Sequence, residues 1–168
     1  RERSSEFSEA AGGLQAASAP LVVYTTDQAH SSVVKAASIA GFGLDNVRMV
    51  PADPWTRAMV PEQLRALIKA DVAAGRAPCA VVASVGTTGT TAVDPLPEIA
   101  TVVGEATTEH PIWLHVDAAM AGTAMILPEM RGMWAGVEAA DSLSFNPHKW
   151  MGTILDTSLY YVRDPEHL

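Results

Sequence analysis

The stretch "CAVVASVGTTGTT", residues 79 to 91, decides the fold. Its first half is a short, nearly continuous apolar run with branched residues, the composition of a strand buried on both faces. Its second half is a glycine- and threonine-rich turn, so the strand stops where polar groups begin. Five more segments repeat the first half: "PLVVY" at 20 to 24, "NVRMV" at 46 to 50, "IWLHV" at 112 to 116, "SLSF" at 142 to 145 and "SLYYV" at 158 to 162. Between most of them lie helical patterns. "SSVVKAASIAGFG" begins on serines and ends on glycines. "VPEQLRALIKADVAAGR" has a proline in its first turn, Leu64, Leu67, Ile68 and Val72 at helical spacing, and Gly75 as its stop. "DPLPEIATVVGEATTEH" opens on Asp94 and Pro95. Strand and helix alternating at this rhythm predict an α/β fold, a mainly parallel sheet with helices on both faces.

Composition narrows the function before any motif does. The chain has 168 residues, 48% of them hydrophobic, enough for one core. A net charge of -8 and an isoelectric point near 5.0 argue against a nucleic-acid partner, which needs a basic face to neutralise phosphates. No apolar run reaches the roughly 20 residues that span a bilayer, so no membrane partner is expected. The lone cysteine, Cys79, has no partner for an internal disulfide, and no Cys/His spacing fits a zinc site. A reducing, cytoplasmic setting and no metal are the expectations. The chain opens without a methionine and stops at "YVRDPEHL", where Asp164 and Pro165 look like another helix start; it reads as an excerpt of a longer one. Residues 1–19 read as a connecting loop at a cut end, and 20–168 as the domain proper.

A parallel sheet binds ligands beyond the carboxyl ends of its strands, and here those ends are polar. "LVVY" is followed by "TTDQAHSS", "VVAS" by "VGTTGTT", "WLHV" by "DAAMAG" and "LSF" by "NPHK". The last is notable because arginine outnumbers lysine eight to three and the other lysines, Lys35 and Lys69, lie in helical patterns. Pro147 pushes Asn146 toward an extended backbone, so "NPHK" is expected to be a turn leaving a strand rather than a helix interior. His30, Thr88, Asp117, Asn146, His148 and Lys149 can therefore converge along one edge. An acid, a flat ring and a lysine around one crevice suit pyridoxal phosphate. Its aldehyde is held by a lysine, its ring nitrogen stays protonated beside an anion, and its planar ring is sandwiched, with Ala119 small enough to let it approach.

In this order, "DQAHSS" (27 to 32), "GTTGTT" (86 to 91), "HVDAAMAG" (115 to 122) and "NPHKW" (146 to 150) resemble the group II pyridoxal-phosphate-dependent amino-acid decarboxylases, the family of aromatic L-amino-acid decarboxylase. The resemblance runs from about Leu21 to the end. It implies fold type I and makes 20–168 part of the cofactor-binding large domain. It implies Lys149 as the Schiff-base lysine, Asp117 as the partner of the pyridine nitrogen and His30 as the imidazole stacked on the ring. Ala119 is then the small residue beneath the ring and Thr88 a threonine near the imine and ring hydroxyl, with Asn146 and His148 around the phosphate and its attached lysine. Other readings stand beside these. His30 can be a helix-start histidine bonded to backbone, Thr88 a turn residue, and His115, opposite Val116 in its strand, a structural residue.

The resemblance further implies a small-molecule L-amino acid substrate, with "DQAHSS" and "HVDAAMAG" leaning to the aromatic branch, and a homodimer. Met120 departs from the aromatic residue often found there, which leaves glutamate or cysteine-sulfinate open. The family's phosphate-binding turn has no counterpart in "SEAAGGLQAASAP", and its catalytic tyrosine loop is expected downstream of Leu168. Two alternatives remain: another lysine-imine enzyme, such as an aldehyde-forming deaminase or a desulfurase, and a non-catalytic fragment.

Overall fold

Each apolar run becomes a strand: β1 (Leu21–Thr26), β2 (Val47–Val50), β3 (Ala77–Ser84), β4 (Trp113–Asp117), β5 (Ser142–Phe145) and β6 (Leu159–Val162). The computed structural model describes Leu14 and residues 19–106 and 111–167, so most of the 1–19 loop and the end of the third helical pattern lie outside the described residues. The strands form one sheet in the order β2-β1-β3-β4-β5-β6. Every neighbouring pair is parallel except β5 and β6. Three connections are helical: α1 (Ser32–Ile39), α2 (Pro61–Ala73) and α3 (Leu96–Ala106). The connection from β4 to β5 is a chain of 3₁₀ turns instead.

The helices start and stop for local reasons. Pro61 takes the first turn of α2, where its missing N–H costs nothing, and Gly75 leaves the helix with φ of 73°. Asp94 was expected to open α3, but both its oxygens are used elsewhere: they accept the N–H of Met59 at 2.6 Å and of Ser84 at 2.7 Å. "NPHK" also differs from expectation. Asn146 is extended, at φ -118° and ψ 98°, but Pro147–Trp150 is a one-turn helix, α4, because proline's fixed φ suits a first helical position.

Side chains alternate across the sheet, which separates a core face from a ligand face. Val22, Tyr24, Val81, Ala83, Leu114 and Val116 pack against Leu64 and Ile68 of α2 and Ile99 and Val102 of α3. Burial of each Val, Leu or Ile among them contributes about 1.5–3 kcal/mol. The alternate residues Val23, Ala80 and Val82 face α1 instead, across a cavity that they share with Val33 and Ala36.

One polar cluster ties β1, β2 and α2 together on the core face. Asp71, 3% exposed, accepts the Tyr24 hydroxyl at 2.9 Å, Arg48 at 2.8 Å and Arg76 at 3.0 Å. Burial acts to raise the Asp71 pKa, but these donors outweigh it and hold the carboxyl below its ordinary range. A depressed carboxyl pKa contributes stability above its unfolded value, about 3.9, and loses it as pH falls through the folded value. Asp71→Asn is expected to lower stability by about 1–3 kcal/mol at pH 7, because it removes the charge that Arg48 and Arg76 pair with and weakens the acceptor of the buried Tyr24 hydroxyl. Unfolding midpoints of the full-length protein between pH 7 and 3 check this: the deficit of the variant should shrink on acidification.

Candidate active site

Because β1, β3, β4 and β5 run the same way, their carboxyl ends open on one side of the sheet. There they surround a cavity of about 570 Å³, within the usual size of a small-molecule site. Six of the residues nominated from sequence line it: His30, Thr88, Asp117, Ala119, Asn146 and Lys149. His148 is not brought to its wall. The His148 ring turns toward the following loop, with Nδ1 2.8 Å from the Thr157 carbonyl oxygen.

Register builds the floor. Ser84, Asp117 and Ser144 are successive partners across β3, β4 and β5, and all three line the cavity. Asp117 ends its strand with Oδ1 accepting the N–H of Ala119 at 3.0 Å. No cation pairs with this carboxylate among the described residues. Lys149 sits in the single turn of α4, exposed, its backbone N–H bonded to the Asn146 carbonyl at 3.1 Å. Its amine has no hydrogen bond or ion pair among the described residues. An amine and a carboxylate thus share one cavity, each without a counterion among the described residues.

His30 satisfies two readings at once. Its Nδ1 lies 2.8 Å from the Ser32 hydroxyl and accepts the Ser32 N–H at 3.3 Å, as a helix-start histidine does, yet the ring also walls the cavity. For the 86–91 turn, the structure separates the threonines. Thr87 holds it, its Oγ1 accepting the Ala92 N–H at 3.0 Å and lying 3.0 Å from Thr90 Oγ1. The turn does not use the Thr88 hydroxyl, which stays available at the cavity. Thr90 reaches Gln28 at 3.1 Å, joining this turn to the loop that carries His30.

Several residues that position the site escaped the sequence reading. Asp94, buried, clamps the base of the turn through the Ser84 N–H, while its own N–H is donated back to the Ser84 carbonyl at 2.9 Å. Burial pushes its carboxyl upward against the two hydrogen bonds it accepts. Gly86, at φ +75°, leaves no room for a Cβ, which would stand 2.2 Å from that of Ala121. A Cβ on Gly122 would meet Phe145 at 2.7 Å. Gly86 and Gly122 therefore let three strand exits pack on one another. His115 lines the cavity as well, and burial lowers its pKa while Asp117 opposes that. Ser84 and Ser144 carried no motif; only their parity with Asp117 in adjacent strands could have found them. Among the described residues no cluster of His, Cys, Asp or Glu could hold a metal.

Comparison with known proteins agrees with this geometry. Residues 5–168 match the profile of the pyridoxal-dependent decarboxylase conserved domain. The chain belongs to that family. It is 47% identical to L-tyrosine/L-DOPA decarboxylase 2 of Lophophora williamsii over 149 residues, 88% of this chain and 28% of that protein. It is 46% identical to phenylacetaldehyde synthase of Arabidopsis thaliana, over 88% of this chain and 30% of the relative. The crystal structure of TDC from Oryza sativa with PLP and tryptamine superposes with a TM-score of 0.81 at 44% identity, covering 86% of this chain and 29% of that one. The chain thus spans under a third of the length of these pyridoxal-dependent relatives, and its sheet has the fold type I arrangement expected of them.

Gly86→Ala tests the packing of the exits. The left-handed φ and the contact with Ala121 together are expected to cost about 2 kcal/mol or more. Thermal unfolding of the full-length protein should show the loss, and Gly89→Ala, with open space at its Cβ, a smaller one.

Proposed function

We propose that the protein containing this chain uses pyridoxal phosphate to decarboxylate an aromatic L-amino acid to its amine and carbon dioxide, with residues 20–168 as the core of its cofactor domain. The observation that carries this reading is the pairing of Lys149 and Asp117 in one cavity, each without a counterion among the described residues. The donor set fits the cofactor. Lys149 is the primary amine that would hold its carbonyl, and Asp117 the anion that would face its ring nitrogen. Thr88 and Asn146 offer a hydroxyl and an amide to its polar substituents, with His30 and Ala119 against its ring. When bound, pyridoxal phosphate supplies a carbonyl that captures amines and a ring that accepts the electron pair released when a bond to the substrate α-carbon breaks.

The chain's own residues supply orientation and electrostatics. The Ala119 N–H fixes the Asp117 carboxylate, so its charge stays aimed at one place and holds a proton on a ring nitrogen there. The apolar wall from α1, including Val33 and Ala36, suits a flat apolar substrate. Support for aromatic substrates comes from the tyrosine/DOPA decarboxylase at 47% identity and from the TDC structure that holds tryptamine. We also infer a homodimer in the cytoplasm. Exposed apolar side chains from Trp150 to Tyr161 favour a covering surface, and one unpaired cysteine favours a reducing compartment.

A second reading is favoured by the phenylacetaldehyde synthase at nearly equal identity: an aldehyde-forming reaction on the same site. Product analysis separates the two. The full-length protein is incubated with pyridoxal phosphate and L-tyrosine, L-DOPA, L-tryptophan or L-phenylalanine. The proposal expects one amine per carbon dioxide; aldehyde and ammonia with consumption of oxygen would establish the second reading, and no carbon dioxide from any of them would sink both. Asp117→Ala is expected to slow carbon dioxide release by about a hundredfold or more, as loss of a preorganised charge does.

A further inference from the structure

Below the cavity, β4 and β5 carry side chains that the proposed chemistry leaves unused. Trp113 and His115 leave β4 on the same face as Asp117, with His115 in register with Ser142 and Asp117 with Ser144. The Trp113 indole donates to Ser142 Oγ at 2.8 Å. Ser142 Oγ lies 2.8 Å from His115 Nδ1, and His115 Nε2 lies 3.3 Å from Ser144 Oγ. Tyr160 stacks on the imidazole with ring centres 6.0 Å apart.

The direction of these bonds follows from the one group that cannot reverse. An indole N–H only donates, so Ser142 accepts from Trp113. Ser142 is 3% exposed, and the only acceptor within reach of its hydroxyl proton among the described residues is His115 Nδ1. A proton on Nδ1 would leave that buried hydroxyl without an acceptor, an arrangement that costs the desolvation of the donor. Nδ1 therefore accepts, and the neutral ring carries its proton on Nε2, which donates to Ser144. With its oxygen engaged, Ser144 has its own hydroxyl proton left to give, and Ser144 lines the cavity next to Asp117. The lowering of the His115 pKa by burial accords with a neutral ring.

We propose that Trp113, Ser142 and His115 form a directional relay that makes Ser144 a hydrogen-bond donor to the ligand held beside Asp117. Ser144 is then a further binding residue that selects a ligand with an acceptor on that side, and His115 is a positioning residue that acts through it. The identity of the ligand, pyridoxal phosphate, rests on the function proposed above. The tautomer of His115 does not.

Two measurements on the full-length protein test the relay. In cofactor-free protein labelled with nitrogen-15 histidine, the His115 signals are assigned by their loss in His115→Gln. They are expected to show the Nε2–H tautomer in the wild type, and a mixture in Ser142→Ala and Trp113→Phe. An Nδ1–H ring or an imidazolium at pH 7 in the wild type would overturn the proposal. Fluorescence titration with pyridoxal phosphate reads the second arm. Ser144→Ala should weaken binding about fivefold, the worth of one hydrogen bond, and Ser144→Thr, which keeps the hydroxyl, should restore it. Equal binding by wild type and Ser144→Ala, or a loss that Thr does not restore, would refute the donor role. A wild type that takes up no pyridoxal phosphate would instead remove the cofactor reading, and the relay would stand or fall on the tautomer alone.

Discussion

The parallel register of β3, β4 and β5 is the constraint on which the site depends. It places Ser84, Asp117 and Ser144 side by side on one face, although they come from three separate segments of the chain. A slip of one residue in any pair would turn its polar group into the apolar core and bring an apolar neighbour to the cavity. The core on the opposite face resists such a slip, because Val81, Ala83, Leu114 and Val116 are held in register by their own burial against α2 and α3. Packing on one side thus fixes chemistry on the other.

Holding the strands is not enough, since ligand groups come from the loops beyond them. Here the loops are fixed by contact with each other. Gly86 lies against Ala121, Gly122 against Phe145, and Thr90 reaches Gln28. Asp94 closes the base of its turn through backbone hydrogen bonds at both Ser84 and Met59. A buried acid with two backbone donors is a rigid anchor, and it serves the loop better than it would serve the start of α3. The Asp71 cluster does the comparable work at the far side of the sheet, joining β1, β2 and α2.

All six strands and the three long helices were legible in the sequence because their apolar runs and their glycine and proline boundaries act locally. So was the convergence of His30, Thr88, Asp117, Asn146 and Lys149, which follows from parallel strands once the polar exits are noticed. What was not legible depends on tertiary partners. Asp94 looks like a helix opener until Met59 and Ser84 are seen to approach it. His148, adjacent to Lys149 in sequence, turns away because the Thr157 backbone lies within its reach. "NPHK" becomes a helical turn through the same proline that suggested a break. Ser144 and His115 acquire meaning only through strand register, which no single segment encodes.

The proposed function depends on Lys149 bonding pyridoxal phosphate opposite Asp117. Borohydride reduction of the full-length protein loaded with the cofactor, followed by proteolysis and peptide mass mapping, tests it most directly. The pyridoxyl mass is expected on the peptide that contains Lys149 and on none with Lys35 or Lys69. A modified lysine elsewhere with Lys149 untouched, or no stable adduct at all, would contradict it.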